Sequence, residues 1–174
     1  MKFKVIKKQK NYKQCMVCGM DNPFSVKTQF YLIENKMCCS VFTFRDEHQS
    51  YPGRAHGGVI SAVLDETIGR AAKLYDPDVW AVTVDMNVKY HKPTPLNVEL
   101  KCVGRVIRDR SRAFTGTGEI YLPDGEVCAS AEITYVKLPE AKIANPEIIA
   151  EEEMIVEDGV TEIELPEAVI KESL

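Results

Sequence analysis

Apolar residues follow a helical period in only one long stretch of the first 138 residues, between Arg54 and Leu74. They recur there at 59/60, 63/64, 68, 71/72 and 74, the three-to-four spacing of a helix that buries one side. The preceding segment, 45–54, is polar and contains Pro52-Gly53, which is typical of a loop. The pattern therefore predicts a single central helix that begins after this loop.

Strand patterns lie on both sides of this helix. Two runs rich in β-branched and aromatic residues, 26–33 and 37–44, are separated by Glu34-Asn35-Lys36 and predict a hairpin. After the helix, four further strands are predicted, at about 79–92, 97–109, 112–122 and 126–138. One helix against a strongly curved antiparallel sheet accounts for all of these elements, so the expected class is α+β.

The first strand after the helix alternates regularly between polar and apolar residues. Its pattern predicts one polar face and one apolar face. The polar face would carry Thr83, Asp85, Asn87 and Lys89, and the apolar face Val82, Val84, Met86, Val88 and Tyr90.

The length of 174 residues suits one domain with an ample core. A content of 45% hydrophobic and 28% charged residues is typical of a soluble globular domain. No apolar run reaches the length of a membrane span, and the first residues have no apolar block of the kind found in signal peptides. We therefore expect a cytosolic protein with no membrane partner.

Six cysteines in such a protein predict reduced thiols. Cys15-x-x-Cys18 is half of a common zinc motif, but no second pair at zinc-finger spacing follows it. A metal site would need Cys38 or Cys39 to lie close to this pair, with His48 as a further candidate ligand. We interpret 15–19 as a turn at the edge of the domain and predict no metal ion and no cofactor.

The start of the central helix is the candidate functional site. Gly57 and Gly58 leave first-turn N–H groups without side-chain cover, and these groups attract a carbonyl oxygen or an anion. Asp65 lies two turns further on, shares a face with small residues and has no basic residue at i+3 or i+4. Glu66 is followed by Arg70 in the order that favours a surface ion pair. Asp65 is therefore the acid for which a function is expected.

His56-Gly57-Gly58, followed after six residues by Asp65, resembles the signature of hotdog-fold acyl-CoA thioesterases of the PaaI-like and hydroxybenzoyl-CoA thioesterase type. The segment Thr83–Pro93 is similar to the strand that follows the central helix in that family. Cys15-Met16-Val17-Cys18-Gly19 with Asn22-Pro23 is similar to the leader of one branch. The resemblance covers about residues 15–138. It implies the hotdog fold and hydrolysis of an acyl-CoA to a carboxylic acid and free coenzyme A.

The resemblance also implies a site shared between subunits. A thioester would lie over the helix start of one subunit, near the partner subunit's Asp65, so a homodimer is the expected active unit and a tetramer the expected assembly. An N–H of Gly57 or Gly58 would bind the carbonyl oxygen, and Asp65 would attack the carbonyl or activate water. The candidate catalytic residues are His56, Gly57, Gly58, Asp65, Glu66 and Thr83, and the candidate substrate-binding residues are Gln49, Ser50, Asn87 and Lys89.

The charge is distributed unevenly along the chain. Residues 139–174 hold eleven acidic residues and two lysines, which leaves 20 basic and 15 acidic residues in 1–138. The weak positive charge of 1–138 suits the phosphates of coenzyme A and argues against nucleic acid as a partner. We expect a domain over 1–138 with a basic N-terminal leader, and an acidic tail over 139–174 that is not a second catalytic domain. In that tail, 143–149 and 163–165 either dock on the domain or stay in solvent.

Several alternatives remain open at the level of sequence. His56 either shapes its loop or contacts the substrate, and Thr83 is either a strand former or a neighbour of the nucleophile. Seven basic residues either bind phosphates of coenzyme A or act as charges at the edge of the sheet, namely Lys89, His91, Lys92, Arg105, Arg108, Arg110 and Arg112. A hydratase or dehydratase on the same fold and a non-catalytic acyl-CoA-binding protein are the alternative functions.

Overall fold

The computed structural model describes residues 1–171 and contains one long helix, α1, against an eight-stranded antiparallel sheet. The order of the strands in the sheet is β10-β1-β3-β4-β6-β7-β8-β5, and β2 pairs with β9 separately. The strands are β1 (Lys2–Lys8), β2 (Asn11–Tyr12), β3 (Gln29–Ile33), β4 (Met37–Thr43), β5 (Ala81–Tyr90), β6 (Glu99–Asp109), β7 (Ala113–Tyr121), β8 (Val127–Lys137), β9 (Glu153–Met154) and β10 (Glu162–Glu164). The helices are α1 (Gly57–Ala71), α2 (Pro146–Glu152) and α3 (Ala168–Lys171).

The predicted α+β hotdog arrangement is confirmed. The helix predicted over 54–74 is α1 with a 3-10 turn, Ala72–Leu74, and the predicted hairpin is β3 and β4. None of the helices in residues 1–171 has the length and apolar character that a membrane span requires.

The sheet curls around α1, whose apolar side forms the centre of the core. Val63, Leu64 and Ile68 are fully buried, and the helix contacts β4, β5, β6, β7 and β8. Burial of these side chains explains why the helical period of the sequence is strong, since each contributes about 1.5–3 kcal/mol when removed from water.

Three glycines allow the sheet to approach the helix closely at Ile68. A Cβ on Gly104 would lie 2.8 Å from Ile68 Cα and 2.9 Å from Thr67 O. A Cβ on Gly116 or Gly118 would lie within 2.7 Å of the Ile68 side chain. The position of α1, and therefore of the residues on its exposed face, depends on having glycine at these three positions.

We expect the Gly104→Ala substitution to lower the free energy of unfolding by at least about 1–3 kcal/mol, because the added methyl group meets backbone atoms that cannot rotate away. Urea denaturation measures this change. Thr117→Ala is the matched control, since Thr117 lies between Gly116 and Gly118 on the opposite face of β7, and its cost should stay within about 0.5 kcal/mol. Equal stability of the Gly104 variant and the control would contradict the close packing.

A β-bulge in β5 alters the predicted alternation of that strand. Thr83 pairs with Tyr135 and Asp85 with Thr134, so Val84 is the extra residue. As a result Thr83 shares the helix-facing side with Tyr90, although the two are seven positions apart. The prediction that Thr83 lies on the same face as Asp85, Asn87 and Lys89 is therefore wrong. The alternation of polar and apolar residues in the sequence could not reveal the bulge, because the bulge depends on how β5 pairs with β8.

The two ends of the chain complete the sheet. The sequence analysis predicted no strand in the basic N-terminal leader, but this segment contains β1, which pairs with β3 and β10. The side chains of Phe3, Ile163 and Leu165 are buried in a second apolar cluster on the face of the sheet away from α1. Of the two alternatives for 163–165, the structure shows docking on the domain.

Candidate active site

The amides at the start of α1 differ from the sequence expectation. His56 is the N-cap, and its Nδ1 accepts the Gly58 N–H at 2.9 Å. The expectation that both glycine amides lack side-chain cover is therefore wrong for Gly58, because a capping side chain satisfies the second helical N–H. The Gly57 N–H makes no hydrogen bond to any of residues 1–171 and is half-exposed. Gly57 is the amide that can bind a substrate oxygen.

A small hydrogen-bond cluster fixes the backbone of Gly57. The carbonyl oxygen of Gly57 accepts a hydrogen bond from Ser61 Oγ and another from the Tyr90 hydroxyl, each at 2.9 Å. Ser61 Oγ and the Tyr90 hydroxyl also lie 2.7 Å apart. The end of β5 is thus tied to the first turn of α1. The sequence analysis assigned no role to Ser61 or Tyr90. Only the fold brings their hydroxyl groups together at the start of α1.

Asp65 and Thr83 come together as the resemblance implied. Thr83 Oγ1 donates a hydrogen bond to Asp65 Oδ1 at 2.6 Å across the space between α1 and β5. No lysine, arginine or histidine of residues 1–171 forms an ion pair with Asp65. The carboxylate is half-buried, oriented by one hydroxyl and free of a neutralising cation.

Tyr135 on β8 fixes the position of the helical turn that contains Asp65. Its hydroxyl donates to the backbone carbonyl of Asp65 at 2.7 Å, and its ring stacks on Phe114 with centroids 4.6 Å apart. Burial, together with the negative charge of Asp65, raises the pKa of Tyr135 well above its ordinary value. The hydroxyl therefore remains a donor at all physiological pH values. The sequence analysis assigned no role to Tyr135.

Within one chain, Gly57 and Asp65 are far apart. They are eight positions apart in the α-helix, which corresponds to about 12 Å at 1.5 Å per residue. A thioester carbonyl has its oxygen and carbon only one bond apart, so the amide and the carboxylate of one chain cannot both reach it. The two groups act on one substrate only if they come from different protomers.

Glu66 forms the predicted ion pair with Arg70, but not at the surface. Arg70 donates to Glu66 Oε1 at 2.6 and 3.0 Å, and its guanidinium lies 4.1 Å from the centre of the Phe30 ring. It also donates to the Lys10 carbonyl, and its side chain is buried. The prediction of a surface pair is wrong because the segment before β3 covers this side of α1.

The four candidate substrate-binding residues are not gathered around Asp65. Gln49 uses its side-chain oxygen to accept the Gly53 N–H at 2.8 Å, and Ser50 is exposed in the same loop. Asn87 and Lys89 are exposed on the side of β5 that faces away from α1, opposite Thr83. The loop residues lie near the helix start, whereas the strand residues lie on another surface of the protomer.

The basic residues considered for phosphate binding differ in their environments: some are exposed, one is buried and one is paired with an acidic residue. Arg105 is buried and pairs with Glu119 at 3.0 Å, so it is not accessible to a phosphate. Lys92 pairs with Glu126. Arg108, Arg110 and Arg112 are exposed near the turn between β6 and β7.

A pocket of about 340 Å³ opens beside Asp65. Its wall combines small helix residues with aromatic side chains from the sheet, including Ala62, Gly69, Trp80, Phe114 and Tyr135. Asp65 from α1 and Thr83 from β5 both line the pocket. The small helix residues that the sequence placed beside Asp65 therefore border a gap between α1 and the sheet.

Comparison with known proteins gives a consistent result. A sequence profile of the thioesterase superfamily matches residues 52–129, which include Gly57, Asp65 and Thr83. The crystal structure of a thioesterase superfamily protein is 28% identical over 71% of this chain, with a TM-score of 0.66. The match covers 60% of that protein, so this chain spans less than two thirds of its length.

Two more distant structures share the fold. The PaaI protein from the phenylacetic acid degradation operon of E. coli has a TM-score of 0.60 at 12% identity, over 66% of this chain and 81% of that one. A thioesterase from Haemophilus influenzae has a TM-score of 0.59 at 14% identity, over 65% of this chain and 79% of that one.

Proposed function

Because a thioesterase superfamily profile matches residues 52–129 and a thioesterase superfamily protein of 28% identity shares the fold, we propose that the chain hydrolyses the thioester of an acyl-CoA to a carboxylic acid and free coenzyme A. The observation that carries the proposal is the Asp65 carboxylate at the edge of a pocket. Thr83 Oγ1 donates a hydrogen bond to it at 2.6 Å, and no cation of residues 1–171 forms an ion pair with it. A carboxylate in this state can attack a carbonyl carbon or remove a proton from water.

Gly57 supplies the second requirement of the reaction. Attack on the thioester places negative charge on the carbonyl oxygen, and a backbone N–H at a helix start stabilises that charge. The Gly57 N–H is available for this role, and the Gly58 N–H is engaged with His56. Collapse of the tetrahedral intermediate breaks the carbon–sulfur bond, and coenzyme A leaves as a thiolate that takes up a proton. If Asp65 acts as the base, this is the proton that it removed from water. If Asp65 attacks the carbonyl itself, the proton comes from solvent, and water then hydrolyses the acyl–Asp65 anhydride to the carboxylic acid. Neither step requires a metal or a cofactor.

The active unit in this proposal is a homodimer. The separation of about 12 Å along α1 requires the amide of one protomer to act with the partner subunit's Asp65. In the described part of the chain, β5 is an edge strand with only β8 beside it, and Val84 and Tyr90 on it are more than half exposed. A second copy that pairs along this edge would cover these residues and complete the site. We further propose that two such dimers form a tetramer.

The pocket beside Asp65 is the proposed acyl site. The reacting carbonyl must lie next to the carboxylate, so the group attached to it extends into the adjacent space. The aromatic side chains of Trp80, Phe114 and Tyr135 in that space favour an apolar acyl group.

Release of free thiol from a panel of acyl-CoAs tests the proposal. Thiol release that is stoichiometric with carboxylic acid supports hydrolysis. Addition or loss of water at the acyl chain, with the thioester intact, would instead favour a hydratase or dehydratase. Tight binding without turnover across aromatic, short and long acyl groups would favour a binding protein.

The hydroxyl of Thr83 should contribute measurably to turnover. We expect Thr83→Val to lower kcat by about 10- to 100-fold, because a hydrogen bond to a charged group is lost with little change in volume. Thr83→Ser keeps the hydroxyl and should stay close to the native rate. Steady-state kinetics of the two variants decides, and an active valine variant would show that the hydroxyl does not orient Asp65.

A further inference from the structure

The turn Cys15–Gly19 has the geometry of a metal-binding turn. The N–H groups of Val17 and Cys18 point at Cys15 Sγ, at 3.3 and 3.4 Å, and the Gly19 N–H donates to the Cys15 carbonyl at 2.8 Å. A Cβ on Gly19 would lie 2.2 Å from the Cys15 carbonyl oxygen, so the turn requires glycine here. Backbone N–H groups aimed at a sulfur stabilise the thiolate form that metals bind.

A third donor meets these sulfurs from α1. Glu66 Oε2 lies 3.3 Å from Cys15 Sγ, and the donor atoms of Cys15, Cys18 and Glu66 all lie within 4.8 Å of one another. Around a tetrahedral Zn²⁺, with bonds of about 2.3 Å to sulfur and about 2.0 Å to oxygen, neighbouring donors are about 3.5–3.8 Å apart. The three atoms are therefore close enough for small side-chain movements to bring them onto one ion.

Arg70 holds Glu66 in the orientation that this requires. Its guanidinium binds Glu66 Oε1 at 2.6 Å and leaves Oε2 directed at Cys15, and it also lies 3.5 Å from Cys18 Sγ. Such contacts to the outer atoms of the ligands fix their orientation in metal sites. With two thiolates, one carboxylate, a divalent ion and Arg70, the cluster is neutral, as it is with both thiols protonated.

We propose that Cys15, Cys18 and Glu66 bind a thiophilic divalent metal ion of the Zn²⁺ class. Binding replaces two S–H bonds by two metal–sulfur bonds, forms one metal–oxygen bond and releases two protons. Among residues 1–171 no fourth cysteine, histidine or carboxylate joins the cluster, so water completes the coordination on the half-exposed side of Cys15. The ion fastens the segment before β3 to α1, one residue from Asp65.

The third ligand in this proposal differs from the candidates that the sequence offered. Cys38 and Cys39 are buried in β4, and the ring of His48 is occupied by the Arg45 N–H and the Phe24 carbonyl. Glu66 lies 51 positions from Cys15 and was assigned only to a pair with Arg70. The prediction of no metal considered only cysteine and histidine as further ligands beside Cys15 and Cys18.

Titration of Co²⁺ into the reduced, metal-free protein of 174 residues, with no affinity tag, tests the proposal. We expect one equivalent to produce the visible bands of tetrahedral Co²⁺ and the near-ultraviolet band of a Co²⁺–thiolate bond, both removed by Zn²⁺. Zn²⁺ should also raise Tm of the native protein. Cys15→Ser and Cys18→Ser should each lose about half of the thiolate band, since one of two sulfurs remains. Glu66→Gln should keep that band and weaken binding at least about tenfold.

Cys39→Ala is the control, since Cys39 lies in the apolar cluster on the other face of the sheet and its variant should titrate like the native protein. Circular dichroism reports whether each variant is folded. If a variant is not folded, the Co²⁺ absorption spectrum of the native protein decides the proposal by itself. Absence of the thiolate band at stoichiometric Co²⁺ would overturn the proposal. A Cys15–Cys18 disulfide in metal-free protein purified without reductant, with no metal bound after reduction, would also overturn it and assign the pair to redox chemistry.

Discussion

Replacement of Asp65 by asparagine should lower kcat for thioester hydrolysis by about 10²- to 10⁴-fold, the usual contribution of a catalytic base. The amide oxygen of asparagine still accepts the hydrogen bond that Thr83 donates at 2.6 Å to the native carboxylate, so the geometry of the pocket is kept. Only the negative charge is lost. The affinity for an unreactive acyl-CoA analogue, measured by calorimetry, should therefore stay within about twofold, since the change removes transition-state stabilisation and not ground-state binding.

Asp21→Asn is the matched control for this experiment. Asp21 is exposed in the segment before β3, and its side chain contacts none of the described residues through a hydrogen bond or an ion pair. The control variant should keep native kinetics. An Asp65 variant that turns over as fast as the control would remove Asp65 from the mechanism.

Replacement of Gly57 by proline should lower kcat by about 10²- to 10³-fold, the cost of losing one oxyanion donor. Proline removes the N–H while suiting the first helical position, where its fixed φ is already required. The preceding residue, His56, has φ −69° and ψ 133°, the conformation that a following proline imposes. The helix should therefore remain folded without its free amide. Tm and kcat together separate a chemical defect from a structural one.

Gly57→Ala distinguishes loss of the amide from crowding. A Cβ at this position would lie 3.3 Å from the Tyr90 hydroxyl in either variant, but alanine keeps the N–H. The alanine variant should retain most of the native kcat. If alanine and proline reduce kcat equally, the effect comes from the displaced Tyr90 and not from an oxyanion site.

Local sequence pattern was sufficient for most of the fold. The helical period between Arg54 and Leu74 predicted α1, and β-rich runs between turns predicted β3 to β8 with ends within a few residues. It was not sufficient for β1. Of its side chains, only Phe3 and Val5 pack in the second apolar cluster, and Phe3 pairs there with Ile163, which is 160 positions away. A short, lysine-rich strand is stable only with such a distant partner, so a local pattern cannot reveal it.

The candidate site was predicted in part, for the same physical reason. The position of Asp65 beside small residues on one face of the helix followed from the period of α1. The bulge at Val84 that brings Thr83 and Tyr90 to one face depends on the pairing of β5 with β8. The capping of Gly58 by His56 depends on a side-chain rotamer. The contact of Glu66 with Cys15 depends on how a distant segment covers α1.

The central claim is that each active site combines Gly57 of one protomer with the partner subunit's Asp65. Mixing inactive Asp65→Asn and Gly57→Pro proteins under conditions that exchange subunits tests it directly. Half of the dimers are then mixed, and each has one intact site of two, so roughly a quarter of the native activity should return. Activity that stays at the level of the two separate variants after verified exchange would contradict a shared site.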